Sequence, residues 1–291
     1  MQKHPMTKNQ IINEIYSSER ALYAANDLEL ISCRFEGEED GESALKECSN
    51  IVVSDCHFEL RYPLWHTEGC LIENSEFTIT ARAPIWYTKY LILRNSIINA
   101  PKSIRECINP IVENSTINSD EAFWKSNGIV VSDSKISGGY LFLDSTLIRM
   151  KNTIIEGKYL LQYIHSSKFM NCKFYTKDAF WHAKDVIIMN SIIEGEYLGW
   201  YCENVTFINC HIKGTQPLCY CKNLKIIDCT FEAADLAFEN SDVEASINGS
   251  MLSIKNPLSG KIVIDDAEII IDDQNKYNGQ CEIILRKNEV K

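Results

Sequence analysis

A chain of 291 residues with 24% charged side chains and a formal net charge of −11 is long enough for one or two domains, and a repeat architecture would keep it as one. Its acidic balance, with both signs scattered along the chain, argues against a nucleic-acid partner, which draws on a basic field. No stretch reaches the roughly 18 apolar residues of a membrane span, and the opening MQKHPMTKNQ has no secretory apolar core or small-residue cleavage site. No membrane partner is expected and the chain reads as cytoplasmic. Its twelve cysteines are then expected as thiols rather than as a disulfide framework.

In chain order, residues 1–18 place Ile11, Ile12 and Ile15 at the spacing of a predicted amphipathic helix, an N-terminal cap for an open sheet end. From residue 19 to 250 a repeat takes over. Asn114-Ser115, Asp133-Ser134, Asn152-Thr153, Asn171-Cys172, Asn190-Ser191, Asn209-Cys210 and Asp228-Cys229 follow one another every nineteen residues. Upstream, Ser32-Cys33, Asp55-Cys56, Asn74-Ser75 and Asn95-Ser96 continue the series with steps of 23, 19, 21 and 19. The two longer steps mark small loop insertions. Residues 251–291, broken by Pro257 and Gly260 before two Ile/Val runs, read as final coils and a C-terminal cap.

Around each pair the apolar residues alternate with period two and are rich in β-branched side chains, as in Leu224-Lys225-Ile226-Ile227. A nineteen-residue unit cannot bury its own apolar face and must stack on the next copy, about 4.8 Å away. The predicted fold is all-β: a right-handed parallel β-helix of about 12 coils of ~19 residues. Stacked Asn and Asp predict an amide ladder at a bend that tolerates left-handed backbone. The Ser/Cys/Thr position after them predicts a tight interior corner.

A second strand carries the candidate site. Ala21-Leu22-Tyr23, Ala44-Leu45-Lys46, Pro63-Leu64-Trp65, Pro84-Ile85-Trp86, Ser103-Ile104-Arg105 and Ala122-Phe123-Trp124 share an apolar middle position, which should face inward. The third position should then face out. The series continues at Ala179-Phe180-Trp181 and, with an assumed one-residue slip, at Leu198-Gly199-Trp200, Leu218-Cys219-Tyr220 and Leu236-Ala237-Phe238. Beside these rings stand Glu47, His66, Tyr87, Glu106, Lys125 and His182, with Arg61 and Arg82 ahead of the strand.

Flat rings pack on sugar C–H faces, and charged forks bind hydroxyls or uronate carboxylates. The candidate ligand-binding set is Tyr23, Lys46, Glu47, Trp65, Trp86, Tyr87, Trp124, Lys125, Trp181 and Trp200, with carbohydrate as partner. Large rings in register could equally serve to stabilise the sheet. For lyase or hydrolase chemistry the candidates are Arg61, His66, Arg82, Arg105, Glu106 and His182. Glu47 and Glu106 share a column but lie three coils, about 14 Å, apart at the strand spacing, too far for a glycosidase carboxylate pair at about 5–9.5 Å.

The first alternative is a non-enzymatic scaffold that uses the same face to hold a partner. The second is a thiol metal site at Cys202, Cys219 and Cys221, whose stacking could gather zinc ligands. The C-x-C spacing lacks paired knuckles and a fourth ligand, so no metal or cofactor is expected.

The phrases Glu19-Arg20-Ala21-Leu22-Tyr23, Gly41-Glu42-Ser43-Ala44-Leu45-Lys46-Glu47, Arg61-Tyr62-Pro63-Leu64-Trp65-His66, Asp178-Ala179-Phe180-Trp181-His182-Ala183-Lys184 and Gly199-Trp200-Tyr201 give the chain its family likeness. It resembles the bacterial family called domain of unknown function 3737, of the pectin-lyase-like β-helix superfamily. The resemblance runs from about residue 19 to 260 and implies the fold, without an activity. It departs from the superfamily's polysaccharide lyases, polygalacturonases and pectin methylesterases in its short coil and in lacking a recognisable Asp cluster.

Overall fold

The computed structural model describes residues 9–38, 41–273 and 278–288. Two compact units divide the chain, Met1–Ile136 and Ser137–Lys291. Both are parallel β-solenoids, with about fourteen turns in all among the described residues and no α-helix.

In the first unit each coil has a longer strand followed, past a corner, by a short one. Ser49–Ser54 with His57–Phe58, Glu68–Glu73 with Glu76–Phe77 and Lys89–Arg94 with Ile97–Ile98 repeat this plan. Parallel register stacks Ile51 on Cys70 and Cys70 on Leu91. Period-two alternation then sends Ile51, Val53, Cys70, Ile72, Leu91 and Leu93 into a fully buried interior. Phe35, Phe58 and Phe77 stack at 4.6 and 4.4 Å within 5° of parallel. Each such ring pair adds about 0.5–1.5 kcal/mol beyond the area it buries.

The corners follow from their residue types. Asp55, Asn74, Asn95 and Asn114 take φ of 55°, 49°, 48° and 46°, the left-handed region that Asn and Asp tolerate best after glycine. The Asn114 amide donates to the Asn95 side-chain oxygen at 2.7 Å, a rung of the expected ladder. The small residue that follows does more than fit. Ser115 Oγ accepts the Ser96 N–H at 3.1 Å and donates to the Glu113 carbonyl at 2.8 Å. Ser96 does the same toward Ser75 N–H and the Arg94 carbonyl. A buried main-chain donor and acceptor are thereby met in each of these coils.

The second unit repeats this chemistry. Lys184–Met189, Glu203–Ile208 and Leu224–Glu232 pair in parallel. The Asn209 amide donates to Asn190 at 3.0 Å, and the Cys172 N–H donates to Ser191 Oγ at 3.0 Å. A second amide ladder joins Asp185, Asn204 and Asn223. Long strands Asp242–Lys255 and Ser259–Ile271, then Glu282–Leu285, form the last coils, and a 3-10 turn, Arg286–Asn288, follows.

The structure differs from expectation at the N-terminus. Asn9–Ile12 and Ile15–Tyr16 are strands, the first paired residue for residue with Leu28–Ile31. Ile12 and Ile15 are 51% and 61% exposed, so the apolar spacing that suggested a helix does not form a buried face. Main-chain pairing with the next coil decides the local structure. The rest of the expected cap, residues 1–8, lies outside the described residues. Coils therefore begin nearer the N-terminus than the sequence suggested, which adds to the expected count of about twelve. Among the described residues no helix is long and apolar enough to cross a membrane.

Candidate functional site

The inward and outward columns of the second strand stand as expected in the first unit. Leu45, Leu64, Ile85, Ile104 and Phe123 have no exposed surface. Leu64–Trp65 pairs with Ile85–Trp86, and Trp86 bridges to Arg105, so the third column is in register. Its rings are half-buried rather than free. Trp65 Nε1 donates to the Ala83 carbonyl at 3.0 Å and Trp86 Nε1 to Glu106 Oε1 at 3.2 Å. Arg105 lies between two indoles, its guanidinium carbon 4.6 Å from the ring centres of Trp86 and of Trp124. Its Nη1 reaches Glu121 at 2.9 Å, and its Nε is buried with no hydrogen-bond partner among the described residues. That side chain is a fixed spacer, and each ring contact is worth about 0.5–2 kcal/mol.

One residue on, the expected flanking set stands at a left-handed corner. Glu47, His66, Tyr87, Glu106 and Lys125 take φ between 51° and 61°, where bulky side chains cost about 1–2 kcal/mol each. His66 and Tyr87 stack at 4.7 Å and 8°. Tyr23, earlier in the stripe, donates to Glu47 Oε2 at 2.6 Å, and that hydrogen bond holds the phenol above its ordinary pKa. Lys46 is half-buried in the Trp column.

In the second unit Trp200 falls directly in the Trp181 column, nineteen residues on, and the two indoles are parallel. The assumed slip begins later: Tyr220 stacks with Tyr201 at 5.0 Å, so Cys219 takes the Trp position and Phe238 is fully buried. His182 lies between Tyr163 at 4.8 Å and Tyr201 at 5.1 Å, near-parallel to both. Tyr163 and Tyr201 were absent from the expected set, and Tyr220 was expected in the Trp column. Ring faces in this ladder cover one another, leaving edges to solvent.

Cys202 and Cys221 belong to a second Ser/Cys/Thr corner. Cys202 Sγ donates to the Phe180 carbonyl at 2.9 Å and Cys221 Sγ to Gly199 at 3.1 Å. Cys219 Sγ points at the Leu236 and Gln216 carbonyls. Burial pushes the Cys202 thiol up and the Cys219 thiol up to about 12, whereas zinc binds thiolates. Among the described residues no group of three His, Cys, Asp or Glu could hold a metal ion.

The first unit also has a cavity away from the stripe. Gly37, Glu59, Leu60, Arg61, Ile79, Thr80 and Arg82 line a cavity of about 360 Å³. Gly37 lies in the 23-residue step of the repeat, and Ile79 and Thr80 in the 21-residue step, so the cavity opens where the coil is interrupted. Arg61 pairs with Glu42 at 3.4 Å, whereas Arg82 has no carboxylate partner among the described residues. The Trp65 N–H bond ends on the carbonyl of Ala83, the residue after Arg82. Trp65 is tilted 49° from Tyr62, 71° from Trp86 and 89° from Tyr87, so no parallel ring among the described residues covers it. Glu59 was not among the candidates, nor was His57, whose Nε2 lies 3.0 Å from Glu59 Oε1. Their signal was alternation around the buried Phe58 and Leu60, His57-x-Glu59-x-Arg61. Of the catalytic candidates, only Arg61 and Arg82 line this cavity. His66, Arg105 and Glu106 are in ring contacts or bonds along the stripe, and His182 is in the second unit.

Coils, corners and an outward stripe define a parallel β-helix protein with a cleft at its loop insertions. The family model described as "Protein of unknown function (DUF3737)" matches residues 9–284, and the chain belongs to that family. No curated protein matches it. Among solved structures it is similar to PfbA, a surface adhesin of Streptococcus pneumoniae, at 9% identity over 83% of this chain and 81% of that one, with a TM-score of 0.38. It is also similar to a mannuronic acid specific polysaccharide family 6 lyase from human gut microbiota, at 7% identity over 97% and 84%, with a TM-score of 0.38. At these identities the likeness is one of fold.

Proposed function

We propose that the protein binds acidic carbohydrate on the first unit, with the cavity at Arg61 and Arg82 as its anchor. The supporting observation is the placement of two guanidinium groups at one cleft, one without a carboxylate partner among the described residues, with the Trp65 N–H bonded to the carbonyl of the residue after Arg82. Arginine forks match carboxylates in pairs, and an indole face packs on sugar C–H groups.

The test is calorimetric titration with uronate-containing and neutral oligosaccharides. Binding confined to the uronates, weakened at least about tenfold by Arg82→Ala at unchanged melting temperature, supports the reading; that loss is about 1.4 kcal/mol. Absence of uronate binding, or indifference to Arg82→Ala, overturns it.

A scaffold reading is favoured for the second unit. There the Trp181 and Trp200 N–H groups go to the Tyr197 and Gln216 carbonyls at 2.7 and 2.8 Å. Rings held by edge and face in this way serve the coil stack.

A further inference from the structure

The indoles of the second unit are committed to the coil stack, but another of its faces is not self-satisfied. Elsewhere, strands of adjacent coils set opposite charges side by side: Lys89 faces Glu68, Arg94 pairs with Glu73 and Glu113, Lys184 with Glu203 and Lys213 with Glu232. Between Arg149 and Lys173 that rule is broken. Arg149 lies directly opposite Lys168 in parallel register, and like charges so placed destabilise a sheet. Lys151 follows on the same strand face as Arg149, and Lys173 stands just past the Asn171 corner from Lys168. All four are exposed, and none makes an ion pair or side-chain hydrogen bond among the described residues.

We propose that this face of the second unit is a binding site for a sulfated glycan, separate from the cleft of the first unit. Neighbouring strands stand about 4.8 Å apart and alternate residues of one strand about 6.6 Å apart, so the cations form a two-dimensional array on a rigid sheet. One carboxylate per sugar, in single file, meets only one row of such an array. Sulfate esters, several to a disaccharide and projecting to both sides, meet it in both directions. Bound sulfate accepts charge-assisted hydrogen bonds from Arg149 and Lys168 together, which relieves the repulsion between them. Tyr175, two residues beyond Lys173 on the same side of its strand, is 37% exposed with no ring stacked on it among the described residues. It offers a face to sugar C–H groups. Glu156 and Glu194 lie opposite Tyr175 in register, where they bound the basic patch and can accept hydrogen bonds from sugar hydroxyls. The acidic balance of the chain disfavours nucleic acid on this patch. Between the cations, Met150 and Phe169 are buried and Met170 is half-buried, so no large apolar group projects there to enter a bilayer.

The test titrates the full chain with a heparin oligosaccharide, its desulfated counterpart, a single-stranded oligonucleotide of similar charge and phosphatidylserine vesicles. The sulfated oligosaccharide should bind best and weaken steeply as salt rises from about 50 to 200 mM, as ionic contacts do. Lys151→Glu with Lys168→Glu should cost it at least about tenfold in affinity. Arg149→Glu should lose affinity while holding or raising the melting temperature, because it sets opposite charges in register with Lys168. A role in holding the sheet would lower both. Tyr175→Ala should weaken the sulfated oligosaccharide severalfold. Lys213→Ala, whose ammonium pairs with Glu232, and Arg82→Ala at the cleft should each stay within about twofold of wild type. Loss of sulfated-glycan binding in Arg82→Ala moves the ligand to the cleft and overturns this site while leaving the uronate reading open to its own test. No binding of the sulfated oligosaccharide, or equal binding of the desulfated one, overturns the proposal. Tighter binding of the oligonucleotide or the vesicles does so too, as does indifference to the charge reversals or to Tyr175→Ala.

Discussion

The indoles of Trp181 and Trp200 lie face to face, 5.4 Å between centroids and 4° from parallel. Each N–H ends on a main-chain carbonyl, so face and polar edge are both committed within the protein. Trp200→Ala should therefore cost about 2–3 kcal/mol, somewhat below the value for a fully buried ring. Denaturant melts should show the loss, and saccharide affinity should not change. Trp65→Ala should do the reverse, losing affinity with a smaller change in stability.

Arg105 between Trp86 and Trp124 gives a second stability prediction. Arg105→Ala removes two cation–ring contacts and the Glu121 ion pair, with an expected loss of about 1–2 kcal/mol. Tryptophan emission should shift as both indoles meet water. An unchanged spectrum and melt would show that the guanidinium does not hold the rings.

At the first corner, Ser115→Ala leaves the buried Ser96 N–H without its acceptor and should cost about 1–3 kcal/mol. Ser115→Cys should cost less, because sulfur makes the same bonds elsewhere: the Cys210 N–H meets Cys229 Sγ at 3.3 Å, and Cys229 Sγ donates to the Ile227 carbonyl at 3.4 Å. The ranking by chemical denaturation is the check.

Most of this architecture was legible because stacking converts sequence spacing into spatial register. Asn95 above Asn114, and Trp65 above Trp86, follow from counting alone. The cleft was less legible. The longer steps announced loops, but Gly37, Ile79 and Thr80 had to be placed before Glu59 and Arg82 could be seen to share a wall. The start of the slip at Tyr220 was misjudged because an aromatic residue followed Cys219 immediately, and composition cannot say which of two neighbours faces out. The N-terminal strands were misread because Ile11, Ile12 and Ile15 suit a helix until a neighbouring strand offers its edge.

Thiol chemistry should follow burial. Eleven cysteines are buried thiols, and Cys281 is partly exposed. Burial pushes Cys48 up to about 11 and Cys56 and Cys107 up to about 12. A thiol reagent at pH 8 should modify Cys281 first and slowly, since burial and the nearby Glu244, Asp242 and Glu282 push it up to about 11. The remaining cysteines should react only on unfolding. Rapid early modification of several thiols in native protein would contradict this.

Acid should loosen the last coil. Arg286 Nη1 donates to Asp265 Oδ1 and to the Ile247 carbonyl, both at 2.8 Å. That hydrogen bond is the main reason the Asp265 carboxyl sits below its ordinary value. A carboxyl with a lower pKa folded than unfolded contributes stability that is present above the unfolded pKa and lost as pH falls through the folded one. Hydrogen exchange in Glu282–Leu285 should therefore accelerate below about pH 4, near the unfolded Asp value. Arg286→Ala should bring that acceleration to neutral pH.

The corner hydroxyls and thiols make each coil chemically self-similar at its upper and lower surfaces. A donor left open by one turn is the donor that any other turn would also leave open. Whole coils are therefore interchangeable modules, and removing nineteen consecutive residues within a unit should disturb packing less than removing one. Lineages of this fold can lengthen or shorten in coil-sized steps, while the cleft, which depends on two off-period loops, stays tied to its own address in the chain.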